Sequence, residues 1–157
     1  MELNKFSNGQ LNEIKEGLDK GLDVRIYAKL EFNTAQMREI RLGLEEGLDI
    51  TIYAKPEFDE NQMKHIRNGL LKGLNVNIYA RPEFNNLQMR EIRCGLAAGL
   101  DVSVYAKPEF SNIQMREIRQ GLLEDVDMSI YNMIPEATRH LYGETPDEIV
   151  KNYLKEH

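Results

Sequence analysis

The sequence predicts an all-α fold: an α-solenoid of five 26-residue units, each a long helix plus a short one, closed by a C-terminal helical cap. Three observations predict it. The five phenylalanines of the chain, Phe6, Phe32, Phe58, Phe84 and Phe110, are spaced 26 apart, and Tyr27, Tyr53, Tyr79, Tyr105 and Tyr131 keep the same step. A string of the form Gln-Met-Arg-Glu-Ile-Arg, then Gly-Leu, then Gly-Leu-Asp-Val, recurs with that period. Each copy also opens with helix-capping residues. A fixed period of this size marks a repeat array, in which each unit stacks on its neighbours.

The unit that begins at Phe84 shows how each element arises. Asn85 is a good N-cap, and Gln88 stands three residues later, as a capping box requires. Phe84 and Met89 are placed as a hydrophobic staple. Ser7 with Gln10, Asn33 with Gln36, Asp59 with Gln62 and Ser111 with Gln114 repeat the capping pair. Met89, Ile92 and Leu96 follow helical spacing and define a buried stripe. Gly99 suits the left-handed position after a helix, with Leu100 as the apolar residue that comes next. The long helix therefore runs roughly from Asn86 to Ala98.

Gly95 lies inside that helix, where glycine costs about 0.5–1 kcal/mol relative to alanine. Gly17, Gly43, Gly69 and Gly121 share its place, which points to close approach of a neighbouring backbone. Asp101 then caps a short helical or 3-10 turn over Val102–Ala106, and Pro108 ends it. Val-Ser-Val-Tyr is also prone to extended structure, so a brief strand is the alternative. Asp23, Asp49, Asn75 and Asp127 occupy the same capping place, which favours the turn.

The fifth unit departs from this pattern. Asp125, Val126, Met133 and Ile134 replace the residues corresponding to Gly99, Leu100, Lys107 and Pro108. Met133 and Ile134 are expected to seat the tail. The repeats are assigned to residues 1–134 and the cap to residues 135–157. Within the cap, Pro135 to Tyr142 reads as a helix closed by Gly143. Thr145, Pro146 and Glu148 open a second helix to about Lys155, with proline at its first position. Ile149, Val150, Tyr153 and Leu154 supply its apolar face. The first unit has little before it, so its exposed helix is a possible surface for self-association.

The string Gln-Met-Arg-Glu-Ile-Arg-x-Gly-Leu-x-x-Gly-Leu-Asp-Val-x-x-Tyr-Ala-Lys-Pro-Glu-Phe resembles short repeats in uncharacterised proteins of Firmicutes, their phages and mobile elements. Its alternation of a longer helix with a short turn is similar to the leucine-rich-repeat-variant class of α/3-10 solenoids. The resemblance spans residues 6 to about 131 and implies a solenoid fold with no settled activity. The Gln-Met and Gly-Leu-Asp signatures and the unit length depart from the leucine-rich-repeat-variant pattern, so that kinship is one of layout.

Composition narrows the function classes. The chain carries 20 Lys and Arg against 26 Asp and Glu, a net charge of −6, which argues against a strongly electrostatic nucleic-acid binder. Its one cysteine, Cys94, allows neither an intrachain disulfide nor a cysteine zinc site. A free thiol fits a reducing compartment. The N-terminus lacks a signal-peptide apolar run, and no segment reads as a membrane span, so a cytoplasmic protein is expected.

The candidate binding residues fall in ladders. Arg41, Arg67, Arg93 and Arg119, with Lys15 in the first copy, form one; Arg38, Lys64, Arg90 and Arg116 form another. Stacked into a stripe, they could follow the phosphates of a nucleic acid or another polyanion. The structural alternative is pairing between units with Glu39, Glu91 and Glu117 or with the hinge acids Glu31, Glu57, Glu83 and Glu109. The tyrosine ladder could stack bases, but Ile and Ala neighbours favour a core role. Met37, Met63, Met89 and Met115 belong to the staple and core.

His65, His140 and His157 are scattered, and His65 stands where other copies carry Glu. No nucleophile–base set, metal cluster or phosphate loop stands out, so the chain is read as no enzyme, with no cofactor and no metal. Positions that vary between copies are the better guide to a binding face. Ala35, Asn61, Leu87 and Ile113 form the preferred line, with Leu87 and Ile113 apolar in a helix's first turn. Leu42, Asn68, Cys94 and Gln120 form a second line, and Arg25, Thr51, Asn77 and Ser103 a third. The reading is a non-enzymatic protein-binding scaffold, encoded by a phage or mobile element, with polyanion binding as the alternative.

Overall fold

The structure is a computed structural model describing residues 2–157, apart from the side chains of residues 126 and 127. All regular structure among the described residues is helical. Four long helices of equal length, α1 (Asn8–Asp19), α2 (Thr34–Glu45), α3 (Glu60–Leu71) and α4 (Asn86–Ala97), are followed by α5 (Asn112–Met133), α6 (Glu136–Arg139) and α7 (Pro146–Glu156). Each long helix packs on the next in order, and α7 packs on α5. This is the helical repeat solenoid read from the 26-residue period. No helix among the described residues is long and apolar enough to cross a membrane.

Every long helix starts with a complete capping box, and α7 has one built from Thr145 and Glu148 with proline in its first turn. The first four helices end in the same way. Leu22 N–H donates to the Gly17 carbonyl at 2.9 Å and Gly21 N–H to the Leu18 carbonyl at 3.0 Å, with Gly21 at φ +72°. Gly47, Gly73 and Gly99 repeat that Schellman geometry, which satisfies carbonyls the helix leaves over.

The helical alternative holds for the short element in the first four units. Val24–Ile26, Ile50–Ile52, Val76–Ile78 and Val102–Val104 are 3-10 turns, and a further one spans Leu3–Lys5. Asp23, Asp49 and Asp101 cap them through the backbone N–H two residues on, whereas Asn75 makes no such side-chain bond. The fifth unit does not fold this way. With Asp125 in the place of the terminating glycine, α5 continues to Met133, and no separate short turn comes after it. The Asp127 side chain, expected as a cap, lies outside the described residues.

The interior glycine has a different cause from the one the sequence suggests. Its close neighbour is the tyrosine of its own unit. Tyr27, Tyr53, Tyr79 and Tyr105 are fully buried, and their hydroxyls donate at 2.7 Å to the carbonyls of Glu13, Glu39, His65 and Glu91. Each accepting carbonyl lies four residues before the glycine. A Cβ at Gly17, Gly43, Gly69 or Gly95 would collide with the phenol oxygen and with a methyl of Val or Ile. Among the described residues a Cβ at Gly121 would meet nothing within 4 Å, because Tyr131 is carried off along α5.

The core is a continuous row of Tyr, Phe, Met and Ile drawn from successive units, including Phe32, Phe58 and Phe84, Met37, Met63, Met89 and Met115, and Ile40, Ile66 and Ile92. At the C-terminal end Ile134 is buried as expected, but Met133 is 81% exposed. The segment after Pro135 is α-helical only over Glu136–Arg139, since Leu141 and Tyr142 bond three residues back. Ile149 and Val150 are buried and Tyr142 meets Tyr153 edge-on at 5.4 Å. Leu154, expected on the apolar face, is exposed.

Two equivalent substitutions should act in opposite directions. Gly69→Ala is expected to destabilise the protein by at least about 1–3 kcal/mol through overpacking against Tyr79 and Val76. Gly121→Ala should stabilise it by about 0.5–1 kcal/mol, since the added methyl lies in open space within a helix. Denaturant midpoints measure both, and the same sign for the two would contradict the tyrosine explanation.

Candidate functional site

The capping glutamine also joins the units. In Gln36 the Oε1 accepts from the Asn33 N–H, while Nε2 donates to the Phe58 carbonyl of the next unit at 2.7 Å. Gln10, Gln62 and Gln88 make the corresponding bonds to the Phe32, Phe84 and Phe110 carbonyls at 2.7, 2.6 and 2.7 Å. Sequence reasoning missed this second role. A capping box accepts Glu or Gln, so the use of Gln in all five copies was the available signal that a donor is required.

The arginine ladder lies between the same helices. Arg41 Nε meets Glu13 Oε2 at 2.8 Å and Arg38 Nε meets Glu13 Oε1 at 2.9 Å. Arg67 Nε pairs with Glu39 at 2.8 Å, and its Nη1 with Glu46 at 2.7 Å. Arg119 and Arg116 share Glu91, at 2.9 and 3.2 Å, and Arg90 reaches that carboxylate along its own helix at 3.2 Å. Burial opposes ionisation of Glu91, but the bonds from Arg119 and Arg116 hold its carboxyl below the usual range. Glu39 and Glu91 are partners the sequence suggested; Glu13, Glu16, Glu45 and Glu46 are additional ones. Among the described residues the hinge acids take no ladder arginine.

The ladder has one gap. His65 occupies the position of Glu13, Glu39 and Glu91, and Arg93 occupies that of Arg41, Arg67 and Arg119. Among the described residues neither His65 Nδ1 nor Arg93 Nε has a hydrogen-bond partner, although both atoms are buried. Burial first, then Arg93, Arg90 and Lys64, pushes the imidazole down from 6.5 to about 4, with Asp59 acting the other way. The substitution was visible in the sequence; its consequence for Arg93 needed the pairing geometry.

Four tyrosines of the ladder, Tyr27, Tyr53, Tyr79 and Tyr105, are core, whereas Tyr131 is half-buried on α5. Burial pushes the Tyr27 hydroxyl up to about 12 and raises Tyr53, Tyr79 and Tyr105 as well, so each phenol remains a donor. The variable line is open to solvent over most of its length. Leu87 is 42% and Ile113 60% exposed, Asn61 is exposed and Ala35 half-buried. The second line, Leu42, Asn68 and Cys94, is half-buried, with Gln120 exposed. Arg25, Thr51, Asn77 and Ser103 are all exposed; Arg25, Thr51 and Ser103 bond back to the capping aspartates. Two shallow grooves flank the far half of α5. One lies beside Glu124, Met128 and Pro146, the other beside Leu100, Asp101 and Ile130.

The His65 shift fixes a pH dependence. Between about 4 and 6.5 the unfolded chain binds the proton that the folded imidazole refuses, so stability is full above about 6.5 and declines as pH falls toward about 4. His65→Gln should remove that part of the decline. Thermal unfolding across this range measures it; equal slopes for the variant and the wild type would refute the assignment.

No family model, curated protein sequence or solved structure matches the chain.

Proposed function

We propose that the array is a non-enzymatic scaffold that binds another protein along the line Ala35, Asn61, Leu87 and Ile113. The observation that carries this reading is the division between fixed and variable positions. Most residues at the repeated positions are occupied in holding the stack: Gln10, Gln36, Gln62 and Gln88 bridge units, the first four tyrosines cover glycines, and Arg41, Arg67 and Arg119 meet glutamates. The line that varies is largely exposed, and two of its members are large apolar side chains in water. Its spacing places one tunable side chain on each successive unit, the usual economy of an extended repeat surface. A cytoplasmic setting, a phage or mobile-element origin and self-association through the first unit belong to the same proposal.

A second reading, binding of nucleic acid or another polyanion, draws on Arg38, Arg90 and Arg116, whose side chains remain 54, 42 and 40% exposed. It is weakened by the inner arginines, because Arg41, Arg67 and Arg119 already meet carboxylates of the chain. A phosphate would have to compete with those buried pairs.

Leu87→Glu combined with Ile113→Glu should leave the helical circular dichroism and unfolding midpoint nearly unchanged, as both sites are surface positions. Partner capture should fall by about tenfold or more, since a charge then faces an apolar contact. Undiminished capture would remove this line as the binding face. At low salt the protein should pass through immobilised heparin without delay; retention that collapses with added salt would favour the polyanion reading instead.

A further inference from the structure

The gap in the ladder leaves a guanidinium built for an anion and given none. Glu13, Glu39 and Glu91 each present a carboxylate to the Nε of the arginine on the following helix, at 2.8, 2.8 and 3.0 Å. Between α3 and α4 the acceptor is missing. Arg93 Nε is buried without a partner among the described residues, and so is His65 Nδ1. Among the charged groups that act on His65 are Arg93, Arg90 and Lys64, with Asp59 opposing them. Arg90 leans toward Glu91 at 3.2 Å but remains partly exposed. A local excess of positive charge thus sits in a chain with a net charge of −6.

A buried N–H left without an acceptor costs roughly 1–3 kcal/mol, and more when the group is charged. Three interfaces remove that cost with the chain's own glutamate; at the α3–α4 interface no glutamate among the described residues does so. We propose that the junction of α3 and α4 is a binding site for an oxyanion of the carboxylate or phosphate class. Arg93 is the principal ligand, the His65 ring supplies an N–H, and Lys64 and Arg90 lie at the rim. His65 and Arg93 are both only partly buried, so the anion enters from solvent and reaches Nε when the imidazole turns aside. The planar guanidinium suits either class, because both present two oxygens side by side. This site is independent of the scaffold reading and of the line through Leu87 and Ile113.

The test is a nuclear magnetic resonance titration of the full chain with inorganic phosphate and, separately, with acetate, at fixed ionic strength and pH. Saturable amide shifts are expected at residues 64–68 and 90–94, and not at the matching positions of α1 and α2. Phosphate alone acting identifies the phosphate class; acetate alone, the carboxylate class. His65→Glu supplies the missing carboxylate from within. It should abolish the shifts, weakening binding at least about tenfold, and raise the unfolding temperature in ligand-free buffer. Arg93→Gln should abolish the shifts without that gain. Absence of saturable shifts with either anion overturns the proposal, and so does equal binding by wild type and His65→Glu.

Discussion

The side-chain amide of one glutamine per unit is the contact on which the array depends. Its oxygen closes the capping box of its own helix, and its nitrogen donates into the hinge of the next unit. Gln10, Gln36, Gln62 and Gln88 all do this, so the start of each helix and the placing of its successor are set by one group. A glutamate would cap equally well but has no proton to donate. Gln114 still caps α5, although no phenylalanine lies beyond Phe110 to receive its amide. The units stack with apolar cores of Tyr, Phe, Met and Ile, which supply the bulk of the driving force, while the amide fixes the register.

Within each unit the corresponding device is the pairing of glycine and tyrosine. Glycine is the only residue that lets the phenol pass over the helix to a carbonyl one turn earlier. The fifth unit shows the dependence by its failure. Asp125 replaces the glycine that would end the helix, α5 runs on, Tyr131 leaves with it, and Gly121 is left with no close neighbour among the described residues. The cap is then assembled on that extension by Ile134, Ile149 and Val150.

Much of this was legible in the sequence because it is local. Capping boxes, C-terminal glycines and apolar stripes are read within a dozen residues, and the long helices of the first four units fall close to the expected bounds. The 3-10 turns were legible through their aspartate caps despite a β-prone composition. Other matters were not. Loss of the terminating glycine removes a stop signal, but whether α5 then extends depends on how the next residues pack, which no single position determines. The partner of Gly95 is a side chain ten residues later, outside the span that helical spacing reads. The arginine ladder could be foreseen as paired, but Glu13 as a buried carboxylate shared by Arg38 and Arg41 needed three dimensions. His65 was conspicuous as an exception, yet its meaning depended on knowing what a glutamate does in that place.

The glutamine and the tyrosine divide the energetics of the array between different residues. Tyrosine over glycine acts inside one unit; glutamine to the hinge carbonyl acts between two. In a linear chain of two-state elements these correspond to the intrinsic term and the nearest-neighbour coupling, whose ratio decides whether the chain melts as one body or frays from its ends. Because separate side chains carry the two, cooperativity can change without altering the stability of a unit. Duplication of a whole 26-residue segment would lengthen such an array while preserving both.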